Sequence, residues 1–386
     1  MGFRMIGFKG VKAYIHGKGI ITTDIAIENG KILAVGENLD IKDALPFNDG
    51  QVVLPGFIDQ HIHGANGADA MDGNIQALKT IANAVAHEGT TGFLATTMTQ
   101  SPENIINALH SVKEYMTADP SEGAKVLGVH LEGPFISTKH IGAQPLEYVA
   151  KPDVEVFKSY NKASGNAIKI VSLAPEEDGA DKLIKHLVKS GIVASSGHTD
   201  AGYSAMEQAK NNGLSNVTHT YNAQKALHHR DVGTVGSALL FDELNCEAIC
   251  DLIHLSAPAI KLIVKNKPHD KITLITDSMR AKYLPDGISE LGGQEVIVKN
   301  GEARLKNGAL AGSILKMNDA IKNIVLNCNV PFTDAVDFAT INPAKNLGLD
   351  KEIGSIDVGK SADFTVLDEE FKVCLTVRAG NIVYKG

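Results

Sequence analysis

Eight short apolar runs recur along the middle of the chain, and each is followed by a helix-like stretch or a long loop. They occupy residues 52–59, 90–97, 125–133, 168–176, 192–200, 216–222, 246–251 and 271–278. Their apolar residues are continuous rather than alternating, which is typical of strands buried on both faces. Strands that alternate with helices form parallel sheets, so eight such units predict an α/β protein with a closed (β/α)8 barrel.

Helix boundaries between these runs support the same fold. Helices are expected over residues 75–88, 103–115 and 181–190. The first and third are followed by Gly89 and Gly191, and the second follows a Ser-Pro pair. Pro near the first turn and Gly just past the last residue are typical helix boundaries.

Both ends of the chain have the pattern of short strands. Residues 3–35 hold β-type runs joined by Asn29 and Gly30, a dipeptide typical of two-residue hairpins. Residues 362–386 have a similar composition, and chain termini often lie close together. We therefore expect a small β-sandwich domain built from both termini, beside the barrel domain. The expected bounds are 1–54 and 348–386 for the β domain and 55–347 for the barrel.

The alternation breaks after the eighth run. Residues 288–311 predict an inserted β segment that leads into the small-residue loop 310–313. Helices are expected to resume from Met317 and again from Asp334.

Charge and cysteine content restrict the environment and the partners. The chain has 37 Lys and Arg against 45 Asp and Glu, a formal net charge of −8. It therefore lacks the general basic field that attracts nucleic acid or anionic membranes, and neither is an expected partner. The four cysteines are scattered, which suits a reducing compartment. With no apparent leader or membrane-spanning run, the expected location is the cytoplasm.

Six residues of metal-binding type lie at the ends of predicted strands. They are His61, His63, Glu132, His198, His219 and Asp277. Residues two apart on a strand face the same side, so His61 and His63 present both imidazoles in one direction. In a (β/α)8 barrel the carboxyl ends of the strands meet at one mouth. The pattern therefore predicts a metal site there.

Each of these residues also has a plainer interpretation. Glu132 could cap a turn, and Asp277 could cap the next helix. His198 could be an ordinary loop histidine, and His219 a satisfied core histidine. Their joint placement at strand ends favours metal binding over four separate explanations.

Several motifs carry a family resemblance. They are PGFIDQHIHG, HLEGPF, SSGHTDA, THTYNA, ITDSM, LAGS and INPAKNLGL with GSIDVGKSADFTVLD. Together they resemble the amidohydrolase superfamily and, within it, the N-acetylglucosamine-6-phosphate deacetylase family, over nearly the whole chain. The resemblance implies hydrolysis of the acetamide of N-acetylglucosamine 6-phosphate, in amino-sugar catabolism and cell-wall sugar recycling.

The resemblance also implies a metal arrangement. His61 and His63 would hold one divalent ion, His198 and His219 a second, and Glu132 would bridge them. Asp277 would contact the first ion and move the proton. Two ions per subunit are thus expected, and imidazole and carboxylate ligands accept zinc, iron, manganese or cobalt.

Further residues are assigned to the substrate by the same resemblance. His254 would contact the substrate near its reacting carbonyl, although a surface histidine at a helix start is the plainer interpretation. Arg230 would bind the phosphate by reaching across a homodimer interface, and a solvated loop is the alternative. The sugar pocket would include Ala143, Asn222, Ala223, Leu310, Ala311 and Gly312.

Two departures and several rival functions stay open at this point. Gln144 and Gln224 stand where some family members have His and Met. Rival enzymes are an N-acetylgalactosamine-6-phosphate deacetylase, an adenine deaminase or a hydrolase of N-acylated amino acids. A non-catalytic barrel scaffold is the rival of another class, but it should have gaps among the six ligand positions.

Overall fold

Eight parallel strands form the barrel in the computed structural model, which describes residues 6–386. The strands are Phe57–Ile62, Thr90–Thr97, Lys125–Glu132, Ile168–Leu173, Val193–Ser196, Asn216–Val217, Asn245–Ile249 and Ile272–Ile275. Each pairs with the next, and past the last strand the Asp277 N–H donates to the His61 carbonyl at 2.8 Å. The predicted (β/α)8 barrel is confirmed.

Helices cover the outside of the barrel. Those within residues 6–386 are Ile75–Ala86, Pro102–Ala118, Val154–Ala163, Ala180–Lys189, Tyr203–Asn211, Gly233–Leu240, Ala257–Asn266, Met317–Cys328, Phe332–Ala339 and Ile341–Asn346. Short 3-10 turns lie at Ala70–Asp72, Leu146–Tyr148 and His269–Lys271. The three predicted helices are present, with ends shifted by at most three residues. The second runs past its predicted end because the chain turns only at Asp119, which has φ +39°.

The two ends of the chain form one mixed sheet. Its hydrogen-bonded order is Asn381–Lys385, Val373–Arg378, Phe364–Leu367, Val52–Pro55, Ile6–Ile15, Gly19–Glu28 and Lys31–Gly36, with Asp43–Ala44 beside Ile6–Ile15. Residues 3–5 of the predicted β region lie outside the described residues. The expected β domain from both termini is therefore present, as one continuous sheet with its own apolar core. Phe8 and Phe364 meet edge-on in that core, with ring centroids 5.4 Å apart.

The hairpin predicted at Asn29 and Gly30 has the expected geometry. The two residues have φ of +51° and +75°. Positive φ at both central positions is the requirement of the type I′ turn, which Asn-Gly meets at little steric cost. The turn joins Gly19–Glu28 to Lys31–Gly36.

The inserted β segment is a three-stranded antiparallel sheet over the barrel mouth. Its strands are Gly287–Leu291, Gln294–Lys299 and Glu302–Leu305. Its buried face packs with Met98, Ala143 and Met279 in a small apolar cluster. A further two-stranded pair, Gly64–Ala65 with Ala68–Asp69, follows the first barrel strand.

The cysteines and helices add two facts about the described chain. Cys246, Cys250, Cys328 and Cys374 are all unpaired.

Within residues 6–386, none of the helices combines the length and apolar character needed to cross a membrane.

Candidate metal centre

The six side chains predicted at strand ends come together at one end of the barrel, and all six are buried. They are His61, His63, Glu132, His198, His219 and Asp277. His61 lies in the first strand, and Glu132 is the last residue of the third. The barrel topology therefore brings residues more than 200 positions apart into one cluster.

Glu132 lies at the centre of the histidines. Its Oε1 is 3.1 Å from His198 Nε2 and 3.0 Å from His219 Nε2. Its Oε2 is 3.2 Å from His63 Nε2, and His61 Nε2 lies 3.5 Å from Oε1. The carboxylate of Glu132 thus lies within 3.5 Å of all four imidazoles, which form two pairs.

Asp277 closes the cluster on the side of the first strand. Its Oδ1 lies 3.4 Å from His61 Nε2 and 3.2 Å from His63 Nε2. The backbone of His198, His219 and Asp277 has φ of +49°, +31° and +47°. Non-glycine residues rarely adopt such angles, and those that do often belong to functional sites.

The nitrogen positions fit a divalent metal. The His198 Nδ1–H donates to the His140 carbonyl at 2.9 Å, so a neutral ring turns the lone pair of Nε2 toward Glu132. A lone pair 3.1 Å from a carboxylate oxygen is repulsive unless a proton or cation lies between them. His61 Nε2 is buried with no hydrogen-bond partner among the described residues.

Two sets of ligand atoms are compact enough to hold one ion each. His61, His63 and Glu132 form the first, and Glu132, His198 and His219 form the second, with the atoms of each set within 4.8 Å of one another. Imidazole nitrogen and carboxylate oxygen are the ligands that zinc and neighbouring divalent metals accept.

The charges within the cluster perturb one another. Burial alone lowers the pKa of His61, but the carboxylates of Asp277 and Glu132 outweigh it and raise the pKa to about 9. Burial alone raises the pKa of Asp277, whereas His61 and His63 lower it to about 2. A metal must displace protons from these imidazoles, so acid and metal compete for the same nitrogens.

A cavity of about 380 Å³ opens above the cluster. Several residues assigned to the substrate line it, namely Ala143, Asn222, Ala223, His254, Leu310 and Gly312. His254 is held by Asp251, whose Oδ2 lies 2.6 Å from Nδ1. That contact leaves Nε2 as the ring nitrogen available to the cavity.

Two predicted substrate residues lie elsewhere in the single chain. Among the residues that the structure describes, Arg230 and Ala311 are outside the lining of the cavity. Arg230 is exposed, and its Nη1 lies 2.7 Å from His229 Nε2. Ala311 is fully buried in the apolar cluster beneath the inserted sheet.

Arg304 is a cavity residue that sequence reasoning missed. It is the only Lys or Arg among the described lining residues, and it lies in the inserted sheet. Its Nε donates to Glu302 at 2.6 Å, and Nη1 donates to the Gly308 carbonyl at 2.7 Å. No motif marks it, because its placement depends on how the inserted sheet folds over the barrel mouth.

The two glutamines that depart from the family pattern have different positions. Gln144 lines the cavity, and its Nε2 donates to Glu132 Oε2 at 2.7 Å. Its Oε1 accepts the Thr99 N–H at 2.7 Å. Gln224 instead braces the loop after the sixth strand by donating to the Thr218 carbonyl at 2.7 Å. Only Gln144 therefore acts on the metal-ligand cluster directly.

Comparison with known proteins agrees with this geometry. Residues 52–383 match the model of the amidohydrolase family. The chain belongs to the amidohydrolase family. This amidohydrolase is 47% identical over 335 residues to the N-acetylglucosamine-6-phosphate deacetylase of Bacillus subtilis, with 86% of this chain and 85% of the relative covered.

Two other relatives bear on the fold and on the choice of sugar. The crystal structure of N-acetylglucosamine-6-phosphate deacetylase from Thermotoga maritima has a TM-score of 0.89 and 35% identity, covering 98% of this chain and 100% of that one. The N-acetylgalactosamine-6-phosphate deacetylase of Escherichia coli O157:H7 is 34% identical over 325 residues, covering 84% of this chain and 86% of the relative.

Proposed function

We propose that this amidohydrolase hydrolyses the acetamide of N-acetylglucosamine 6-phosphate, releasing acetate and glucosamine 6-phosphate. The observation that carries the proposal is the position of Glu132 between two imidazole pairs, at the floor of a cavity of sugar size. Identity of 47% to a deacetylase of this substrate supports the choice of sugar.

The proposed metal ligands are the two compact sets of atoms. His61 and His63 would hold one divalent ion, which Asp277 would also contact, His198 and His219 would hold the other, and Glu132 would contact both. When bound, a divalent ion polarises the amide carbonyl and lowers the pKa of water, so that hydroxide is available near neutral pH.

Asp277 is the proposed proton carrier. It lines the cavity next to the histidines, where a water molecule attacking the carbonyl carbon can pass it a proton. The C–N bond of the tetrahedral intermediate then breaks, and Asp277 returns the proton to the departing nitrogen. This second transfer matters because an unprotonated amine leaves poorly.

The remaining contacts would orient the sugar. His254, held by Asp251, is proposed to lie near the reacting carbonyl. Ala143, Asn222, Ala223 and the loop 310–312 are proposed to surround the sugar ring. Arg230 is proposed to bind the phosphate of a neighbouring subunit's substrate, since it lies outside the cavity of its own chain.

Acetate release and metal analysis test this proposal together. The full chain is assayed for acetate release from N-acetylglucosamine 6-phosphate, its galactosamine isomer and unphosphorylated N-acetylglucosamine, and for ammonia release from adenine. We expect the glucosamine phosphate to give the highest kcat/KM and the protein to hold two ions per chain. Failure to release acetate from either hexosamine phosphate contradicts the proposal, and faster turnover of the galactosamine isomer reassigns the substrate.

A double variant provides the control for metal content. His61→Ala with His63→Ala should reduce the ion count from two to one, while circular dichroism shows an unchanged fold. Residues at the barrel mouth contribute to function more than to packing, so folding should survive. A wild-type stoichiometry that stays at one under metal excess contradicts the two-ion assignment.

We also propose a homodimer in the cytoplasm, with domains at 1–54 plus 348–386 and at 55–347. The exposed position of Arg230 supports the dimer, because a second copy could bring it to the substrate. Four unpaired cysteines are consistent with a reducing compartment. The pairing of Val52–Pro55 with Phe364–Leu367 supports a boundary just before the first barrel strand.

A further inference from the structure

A buried carboxylate lies inside the barrel directly below the metal-ligand cluster. Glu247 belongs to the seventh strand and is fully buried. Its Oε1 accepts hydrogen bonds from Gln60 Nε2 at 2.8 Å and Asn216 Nδ2 at 3.1 Å. Its Oε2 lies 3.2 Å from His61 Nδ1 and accepts the His219 backbone N–H at 3.2 Å. One oxygen therefore contacts a residue of each imidazole pair.

The contact with His61 decides which ring nitrogen carries the proton. An ionised carboxylate only accepts hydrogen bonds, so His61 Nδ1 must donate to Glu247. In the neutral ring, Nε2 is then the nitrogen with the free lone pair. That atom points toward Glu132 and Asp277 and has no hydrogen-bond partner in the described chain. Such a pairing fixes both the orientation and the basicity of a histidine ligand.

Packing alone does not account for a charge at this position. Barrel interiors are usually filled by branched apolar side chains, and a buried carboxylate is costly unless every contact is satisfied. Here the surrounding side chains are polar as well, and Asn346 at the far end of the barrel donates to Gln60 Oε1 at 3.0 Å. Four donors converge on Glu247, more than the single acceptor oxygen of a glutamine could serve in the same geometry.

The surroundings of Glu247 do not favour a third metal site inside the barrel. His61, His130 and Glu247 also lie within ligand distance of one another. However, His130 Nδ1 faces the Gln60 carbonyl at 3.1 Å and must donate to it. His130 Nε2 then accepts from the Ser172 hydroxyl at 2.7 Å. Both nitrogens are occupied, so His130 has no lone pair to offer a cation.

We propose that Glu247 is a positioning residue for the metal centre, which holds His61 with Nε2 unprotonated and directed at the ion bound by His61 and His63. The inference rests on the proposed function, because it assumes that these histidines bind metal. Glu247 itself touches neither the ion nor the substrate. Its effect is expected on the affinity of that ion and, through it, on turnover.

The first test measures metal affinity rather than activity. The full-length Glu247→Gln variant is titrated with Zn²⁺ against a chelator, and with Co²⁺ while the visible absorption spectrum is recorded. Loss of the hydrogen-bond partner of a ligand typically weakens metal binding by about 10- to 100-fold. We expect the Kd of one of the two ions to rise by that factor, with an altered Co²⁺ spectrum.

Thr273→Val is the matched control. Thr273 is fully buried opposite Glu247 in the neighbouring strand, and its hydroxyl donates to Asn245 Oδ1 at 3.0 Å rather than to Glu247 or to a proposed ligand. Its metal affinities should match wild type. If both variants weaken metal binding equally, the effect is general damage to the barrel interior, and the proposal is wrong.

The His61→Ala variant tests whether Glu247 acts on metal affinity by way of His61. In His61→Ala, adding Glu247→Gln should leave the affinity for the remaining ion unchanged, because the side chain that Glu247 positions is gone. A further tenfold loss there would assign the effect to the His219 backbone and overturn the proposal. If Glu247→Gln does not fold, Glu247→Asp takes its place, because the shorter side chain keeps the charge but no longer reaches His61. Wild-type metal affinities in Glu247→Asp would also overturn the proposal.

The outcome separates this inference from the proposed function. A wild-type protein that binds no divalent ion contradicts the metal centre itself. A wild-type protein that binds two ions, with a Glu247→Gln variant that binds them equally well, contradicts only the role of Glu247.

Discussion

The two ends of the cavity are built in different ways. At the metal end, six buried side chains project from barrel strand ends and contact one another at 3.0 to 3.5 Å. At the outer end, Arg304 of the inserted sheet is the cationic residue among the described lining residues, whereas Arg230 lies in an exposed loop outside the cavity. A rigid barrel thus positions the reacting groups, while loops and an insertion surround the rest of the substrate.

This difference predicts that changes at the metal end are the more damaging. Glu132→Gln should have the largest effect, because both proposed ligand sets share this carboxylate. Metal assistance is worth several kcal/mol of transition-state stabilisation, so kcat should fall by about 10³-fold or more. Steady-state kinetics and elemental analysis of the same preparation provide the measurement. Two bound ions with kcat within tenfold of wild type would contradict the central role of Glu132.

Asp277→Asn separates proton transfer from metal binding at the same end. The amide keeps the shape of the side chain but does not accept a proton, so kcat should fall by about 10² or more. Metal content measured in parallel should stay close to wild type. If the variant keeps near-normal kcat with its metal bound, another residue must move the proton.

Substitutions at the outer end should cost less and should depend on the phosphate. A hydrogen bond to a charged group contributes about 1.5 to 3 kcal/mol, so Arg230→Ala should lower kcat/KM on the 6-phosphate by about one to two decades. The effect of Arg304→Ala should be smaller, below about one decade, because Glu302 already pairs with it.

Unphosphorylated N-acetylglucosamine is the control for both arginines, since it offers no anion. Equal proportional losses on the two sugars would show that an arginine supports the fold or the assembly instead of the phosphate. A larger loss for Arg304→Ala than for Arg230→Ala would place phosphate recognition in the inserted sheet.

The smallest effect is expected far from both ends, where His269 contacts Asp337. Hydrogen bonding to Asp337 raises the pKa of His269, although burial opposes it and Asp334 assists. Tyr14 and His16 reach the same Asp337 carboxylate. The folded-state pKa is raised, so the stabilisation is present below about pH 6.5 and is lost as the pH rises through the raised value.

His269→Gln should therefore lower the free energy of unfolding by less than about 1 kcal/mol at pH 6, since the pair is partly exposed. The difference should shrink as the pH rises through the raised pKa of His269, with kcat unchanged by the substitution at each pH. Urea unfolding over a series of pH values from 6 upward measures it. A loss that grows with pH would contradict the sign.

Much of the architecture could be read from residue patterns. Continuous apolar runs predicted the buried parallel strands, and Asn29 with Gly30 predicted a turn that needs two positive φ angles. The predictions of helix ends were less accurate. The second helix, for example, continues until Asp119 adopts a left-handed backbone conformation, which its sequence does not signal. The six ligand-type residues could be proposed because the end of each strand is visible in the sequence.

The sequence by itself determined the barrel and the side chains available at its mouth, since burial on both faces and strand-end position are local properties of the chain. Only the tertiary structure decided what lies below and above the proposed metal centre. Glu247 looks like an ordinary strand residue until the barrel closes and brings its oxygen 3.2 Å from His61. Arg304 reaches the cavity, and Arg230 lies outside it, because of how distant segments pack. Contacts between residues far apart in sequence depend on that packing, and no short motif records it.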